Sequence, residues 1–126
     1  MKESYGMSFV TRGIALLTAL EFFYIFYLET VITSSAKTAK VFGMSEEELS
    51  RRSVQTLFKN QGVYNALLGV LLLLASFVFV SGTALMCLFF YIVAVAAYGS
   101  FTSSPKIIFM QGGLPIIGLV TLLLLH

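Results

Sequence analysis

Apolar segments of membrane length fill most of this chain, and the first of them carries a carboxyl group, Glu21, near its middle. An ionised carboxyl at the centre of a membrane helix costs about 2.5 to 3.5 kcal/mol on insertion scales. Glu21 is therefore expected to face the protein interior, to find hydrogen-bond partners or to hold a proton. On a helix, Thr18, Tyr24 and Leu28 share its face, because they lie three, three and seven residues away. This side of the helix is therefore the first candidate for a functional site.

The composition supports a membrane protein over a soluble one. Hydrophobic residues make up 58% and charged residues 11% of the 126 residues, far from the averages of soluble globular domains. One bundle of helices is expected to use residues 1–126 as a single membrane domain. The net charge of +2 is too small to indicate nucleic acid as a partner. Cys87 is the single cysteine, so the sequence predicts no disulfide, no metal site and no cofactor.

Four spanning helices are predicted, over residues 7–30, 57–80, 83–101 and 107–125. The fold class is therefore all-α, an integral membrane four-helix bundle. Before the second span, Ser45 and Glu48 have the spacing of a capping box, which predicts a helix start near residue 45. An apolar stripe at three- and four-residue spacing then predicts one unbroken helix from this start into the second span.

The distribution of Lys and Arg predicts the orientation of the helices. Six of these residues fall in the loops after the first and third spans, and two fall on the opposite side. The six are Lys37, Lys40, Arg51, Arg52, Lys59 and Lys106, and the two are Lys2 and Arg12. Because basic loops stay in the cytoplasm, we expect a multi-pass protein of the cell membrane with both termini outside the cytoplasm.

Polar residues of all four predicted helices fall at one depth, in the cytoplasmic half of the bundle. Unpaired polar groups in hydrocarbon are penalised, so such a level predicts a lined cavity. Asn65 and Gln61 are expected to point inward and to form hydrogen bonds, with Glu21 as a candidate partner. Glu29 is expected to pair with a loop Lys near the water interface. The candidate ligand-binding residues are Glu21, Tyr24, Gln61, Tyr64, Asn65, Tyr98 and Gln111.

Several motifs in this order resemble one family. They are Glu21-Phe22-Phe23-Tyr24-Ile25-Phe26-Tyr27-Leu28-Glu29, Val41-Phe42-Gly43, Asn60-Gln61-Gly62-Val63-Tyr64-Asn65, Tyr98-Gly99 and Gln111-Gly112. The motifs resemble those of the small bacterial and fungal membrane proteins grouped as domain of unknown function 1304, over nearly the whole chain. The resemblance implies a compact four-helix protein and supplies no activity.

Three functions fit these residues. The first is binding or transport of a small amphiphilic or cationic molecule, with Glu21 as counter-charge, tyrosines as an aromatic wall, and coupling to protons as an option. The four spans and the membrane Glu are similar to small multidrug exporters, but the loop over residues 33–52 is longer and Trp is absent. The second is an intramembrane enzyme acting on a lipid-like substrate, with Glu21 as general acid or base. The third is a structural or accessory subunit. Membrane lipid is an expected partner. The sequence is also compatible with a homodimer.

Overall fold

The computed structural model describes residues 7–102 and 106–125, with the side chains of residues 106–109 excepted. Every regular element within these ranges is helical, which confirms the all-α class. The elements are α1 (Phe9–Phe26, continued by a π-helical turn, Tyr27–Val31), α2 (Ala36–Phe42), α3 (Glu46–Leu49), α4 (Arg52–Leu73, continued by a π-helical turn, Leu74–Val78), α5 (Gly82–Thr102) and α6 (Lys106–Leu124). Residues 103–105 of the loop expected between the third and fourth spans, the residue Lys2 and the Lys106 side chain lie outside the described residues.

Three of the helices are long and apolar enough to cross a membrane. They are Phe9–Val31, Arg52–Val78 and Gly82–Thr102, each with at most two charged residues in its most apolar window. Within α6, Met110–Leu124 forms a shorter apolar helix by the same measure. These lengths are consistent with a membrane protein.

Short polar side chains begin several of these helices. The Ser8 hydroxyl accepts from the Thr11 N–H at 3.1 Å, and the Ser35 hydroxyl accepts from the Thr38 N–H at 3.1 Å. Ser45 and Glu48 form the capping box that the sequence predicts, each side chain accepting from the other's backbone N–H. Such caps satisfy N–H groups that have no partner within the helix.

The helix expected to run unbroken from Ser45 into the second span is interrupted, so that prediction is wrong. The short helix α3 ends at Leu49, and α4 begins at Arg52. Ser50 closes the end of α3, because its hydroxyl donates to the Glu47 carbonyl at 2.6 Å. Arg51 then starts the next helix by accepting from the Gln55 N–H at 3.0 Å. A serine that bonds to the preceding turn competes with helix continuation, which explains the break.

The backbone divides into two compact units, each described by itself. The central unit is Leu20–Val70, and the terminal unit comprises the described residues of Met1–Ala19 and Leu71–His126. In the terminal unit α5 and α6 pack closely, because a Cβ atom at Gly118 would lie 2.6 Å from Cζ and 2.9 Å from Cδ2 of Phe89. Hydroxyl groups tie the start of α1 to the end of α6 in the same unit. Thr11 Oγ1 donates to Thr121 Oγ1 at 2.7 Å, and Thr121 Oγ1 donates to the Gly118 carbonyl at 2.9 Å.

The turn between α4 and α5 contains a backbone conformation unusual for its residue type. Val80 has a φ of 47°, in the left-handed region that β-branched residues rarely adopt. The Ser81 N–H donates to the Ala75 carbonyl at 2.9 Å and the Phe79 N–H to the Leu74 carbonyl at 2.8 Å. These bonds close the last turn of the preceding π-helical segment. Glycine is the residue that usually adopts the left-handed conformation at the end of a helix.

Candidate functional site

A buried carboxyl group joins two helices of the central unit. Glu29 lies in the π-helical turn that ends α1, and only 4% of its surface is exposed. Asn65, on α4, donates from Nδ2 to Glu29 Oε1 at 2.7 Å. No Lys or Arg among the described residues forms an ion pair with Glu29, so the expected pairing with a loop Lys is wrong. The amide takes that place because Asn65 faces the buried carboxyl across the helix contact.

The contact is close because Gly62 has no side chain. A Cβ atom there would clash with Thr30 Oγ1, and it would lie 3.1 Å from Thr30 Cβ and 3.2 Å from Glu29 Cβ. Thr30 Oγ1 also donates to the Lys59 carbonyl at 3.0 Å. Asn65 follows Gly62 by three residues and so lies on the same side of α4. Close approach at the glycine therefore brings the amide within reach of Glu29.

Hydroxyl groups hold the π-helical turn that carries Glu29. The turn is closed by the Ile32 N–H, which donates to the Tyr27 carbonyl at 3.0 Å. Thr38 Oγ1, from α2, lies 2.9 Å from each of two carbonyl acceptors, those of Leu28 and Ile32. Thr33 Oγ1 donates to the carbonyl of Glu29 itself at 2.7 Å. π-Helical turns often occur at functional sites, and this one fixes where the carboxyl lies.

Glu21 has different surroundings from Glu29. It lies on α1, eight residues before Glu29, which is roughly 12 Å along the axis at 1.5 Å per residue. Its side chain is half-buried, and its Oε1 atom is enclosed without a hydrogen bond to any described residue. The Asn65 amide that was a candidate partner for Glu21 is bonded to Glu29 instead. Glu29 thus has a hydrogen-bond donor, whereas one oxygen of Glu21 has none within the part of the chain that the structure describes.

The ammonium group of a lysine lies over the ring of Tyr24. The Lys37 Nζ atom, from α2, lies 5.4 Å from the centroid of the Tyr24 ring. This is within the distance at which an ammonium group is attracted to an aromatic face. The Tyr24 side chain is otherwise exposed. The cation at this ring is the chain's own Lys37, and a role of Tyr24 in ligand binding stays a prediction.

Two predicted site residues of α4 do not point inward. Gln61 is exposed and Tyr64 is 77% exposed, so the expectation that Gln61 faces inward is wrong. The buried side of α4 instead passes through Gly62, Gly69 and Leu72. The close helix contact at Gly62 favours a small residue there over a large one.

Tyr98 and Gln111 belong to the terminal unit. Tyr98 is exposed on α5, and Gln111 is half-buried on α6. The structure thus brings together Asn65 and Glu29 and places Glu21 and Tyr24 on the same helix as Glu29. Sequence reasoning missed the role of Glu29, and the nearby threonines Thr30, Thr33 and Thr38 were the available signal. No group of three or more His, Cys, Asp or Glu residues in the described ranges could hold a metal ion.

Comparison with known proteins assigns the chain to a family. Residues 16–123 match the model of a family described as proteins of unknown function, DUF1304. The chain is 54% identical over 118 residues to the uncharacterized protein YpaA of Lactococcus lactis subsp. lactis (strain IL1403), covering 91% of this chain and 98% of that protein. No solved structure matches the chain significantly. The motifs that surround Glu21, Glu29 and Asn65 all lie within the matched range, and the chain belongs to the DUF1304 family.

Proposed function

We propose that the protein is a multi-pass protein of the cell membrane, a four-helix bundle with both termini outside the cytoplasm. Three helices of membrane length support this proposal, with α6 as the fourth span. Large apolar side chains along these helices are exposed, as expected for surfaces that contact lipid. The excess of Lys and Arg after the first and third helices supports the orientation.

We further propose that the protein binds a small organic cation through Glu21, and that transport is the purpose of this binding. The observation that carries the proposal is the enclosed Glu21 Oε1 atom, which has no hydrogen-bond donor among the described residues. A carboxyl group inside a membrane span is costly unless it has a partner. Glu29 has such a partner in Asn65, whereas Glu21 has none among the described residues. A ligand cation would supply what Glu21 lacks.

The two carboxyl groups then have different tasks. Glu29 ties α1 to α4 through Asn65 and holds the helix end in place. Glu21 binds the cation, and Tyr24, one turn away, offers its ring to the apolar or charged part of the same molecule. A Glu21 that releases a proton when the cation binds would exchange one proton for one monovalent cation. Such exchange would couple transport to the proton gradient.

A binding experiment tests the role of Glu21. The full chain is purified in detergent, and tetraphenylphosphonium binding is measured by equilibrium dialysis. Glu21→Gln should weaken binding by at least about tenfold, since losing one partner of a buried charge pair costs about 2 kcal/mol or more. Glu47→Gln removes the same charge from the exposed first turn of α3 and should leave binding unchanged. Equal affinity of the parent and Glu21→Gln, or no binding to the parent, would reject the proposal.

A transport experiment tests the proton coupling. Proteoliposomes with an imposed pH gradient should take up radiolabelled tetraphenylphosphonium when they contain the parent protein or Glu47→Gln. Uptake should fall to the level of empty liposomes with Glu21→Gln. Uptake that does not respond to the direction of the pH gradient would rule out exchange for protons.

A structural role is the second candidate, because one observation favours it. The short Asn65–Glu29 bond satisfies a buried carboxyl with no ligand needed. Under this alternative, Glu21→Gln would leave tetraphenylphosphonium binding and uptake at background in both proteins. Asn65→Leu would then be the more harmful change, as a loss of thermal stability.

A further inference from the structure

The exposed side of α1 in the central unit forms one apolar stripe with a basic end. Leu20, Tyr24, Tyr27 and Val31 are all exposed, and they follow one another at spacings of four, three and four residues. This spacing places them along one side of the helix. The stripe covers twelve residues, or roughly 16 Å for its eleven steps of 1.5 Å. It is therefore long enough to contact the headgroup, the glycerol region and the first part of an acyl chain.

The helix α2 is fixed beside this stripe. Thr38 and Ala39 form its buried side, and the Thr38 hydroxyl lies 2.9 Å from the Leu28 and Ile32 carbonyls of the first helix. Phe42, at the other end of α2, packs edge-to-face on Phe58 with ring centroids 5.2 Å apart. The remaining side of α2 presents Lys37 and Lys40. Neither lysine forms an ion pair with a described residue.

Lys37 lies where the basic side of α2 meets the apolar stripe of α1. Its Nζ atom lies 5.4 Å from the Tyr24 ring centroid, so an ammonium group lies beside the stripe rather than beyond its end. Long basic side chains at membrane boundaries place their charge at the headgroup level, and tyrosines collect at the same level. Tyr24 and Tyr27 are two such tyrosines on the stripe. A phosphate at Lys37 would lie beside Tyr24, with its acyl chains directed past Leu20 and its headgroup on the side of Tyr27 and Val31.

We infer that α2 and the stripe form a binding site for an anionic phospholipid of the cytoplasmic leaflet. The phosphodiester lies between Lys37 and Lys40, the Tyr24 and Tyr27 rings contact the headgroup and glycerol region, and one acyl chain passes Leu20. The site carries two unpaired positive charges and no acidic residue on α2, so its charge is complementary to an anionic headgroup. A zwitterionic lipid has its own cation and gains less from the same lysines. The inference rests on the membrane orientation proposed above and does not depend on cation binding by Glu21.

Native mass spectrometry of the full chain tests the site. The protein in detergent is titrated with phosphatidylglycerol or with phosphatidylcholine of the same acyl chains, and bound lipid is counted. Retention of phosphatidylglycerol should exceed that of phosphatidylcholine. Lys37→Gln with Lys40→Gln should weaken its binding by roughly twentyfold or more, since each basic residue near an anionic surface contributes about 1 kcal/mol. Equal retention of the two lipids by the parent would overturn the inference.

Matched variants separate this site from a general charge effect. Arg51→Gln with Arg52→Gln removes two exposed charges elsewhere in the loop and should leave phosphatidylglycerol retention unchanged. Lys37→Arg with Lys40→Arg should restore binding, which shows that the glutamine variants fail for lack of charge rather than for lack of folding. Inorganic phosphate at a matched concentration should not compete, because it lacks acyl chains. Equal losses for both glutamine pairs, or full competition by phosphate, would overturn the inference.

Discussion

The two glutamates of α1 show how one residue type acquires different roles from its neighbours. Glu29 is buried and accepts from Asn65, whereas one oxygen of Glu21 is enclosed with no described donor. Hydrogen bonds to buried carboxyl groups matter chiefly when they are removed, because the group that remains is left without a partner. The contribution of Asn65 is therefore best measured by deletion.

Asn65→Leu is expected to destabilise the protein more than Gln61→Leu. The first change removes the donor from a buried carboxyl, which costs about 1 to 3 kcal/mol. The second replaces an exposed side chain four residues away on the same helix. Thermal unfolding in detergent, followed by the helical circular dichroism signal, compares the two. Equal midpoints would show that the Asn65–Glu29 bond adds nothing to stability.

A double variant checks that the effect belongs to the pair. Glu29→Leu with Asn65→Leu removes both polar groups, so neither is left unpaired, and it should cost less than the sum of the single changes. The same unfolding measurement gives the coupling energy. Strict additivity would mean that the two side chains act independently.

At the scale of elements, some glycines allow two helices to approach closely, and others lie where no neighbouring element is close. Gly62 and Gly118 have side chains of neighbouring elements where a Cβ atom would be, whereas no atom of the described residues lies within 4 Å of that position at Gly113. The sequence motif that contains a glycine does not distinguish these cases. The difference predicts opposite effects of the same substitution.

Gly62→Ala should lower stability and Gly113→Ala should raise it. At Gly62 the new methyl group meets Thr30, and overpacking of this kind costs about 1 to 3 kcal/mol. At Gly113 alanine fits the open space and favours the helix by about 0.5 to 1 kcal/mol. Thermal unfolding of both variants in one detergent is the measurement. A stabilised Gly62→Ala protein would contradict the close contact at Thr30.

Val80→Gly should stabilise the turn between α4 and α5. A left-handed conformation costs a non-glycine residue about 1 kcal/mol or more, and glycine adopts it without that cost. Val78→Gly, two residues earlier in the helical turn, serves as the control and should destabilise. An unfolding midpoint for Val80→Gly below that of the parent would indicate that Val80 is not strained.

The local parts of this structure could be predicted from sequence, and the contacts between helices could not. The Ser45–Glu48 capping box depends on residues within four positions of each other, so its pattern is sufficient. The partner of Glu29 depends on Gly62 and on a π-helical turn, and periodicity at 3.6 residues cannot include an extra residue in a turn. The expected contact of Glu21 with Asn65 rested on their assignment to one depth of the bundle, and the structure pairs Asn65 with Glu29 instead.

At the scale of the whole molecule, the proposed orientation places the loop after α1 and the turn between α4 and α5 on opposite sides of the membrane. Cys87 is the single cysteine, so Cys87→Ser gives a background for labelling. In that background, Phe79→Cys should react with a membrane-impermeant maleimide in intact cells. Ser34→Cys should react only after permeabilisation, because the loop after α1 is proposed to face the cytoplasm. Both original side chains are exposed. The reverse pattern would invert the topology, and identical patterns would contradict the span between them.

Because of the π-helical turn, the number of residues in this segment matters as much as their identity. A turn closed between Ile32 and Tyr27 holds one residue more than an α-helical turn. Deleting a single residue such as Tyr27 would remove the extra residue, so the segment could return to regular α-helix with the residues beyond the turn on their original side. A second deletion, which no extra residue could absorb, would rotate those residues by roughly 100° and turn Glu29 away from Asn65. Relatives that lose one residue here could therefore keep the contact between these helices, whereas relatives that lose two would have to form a different one.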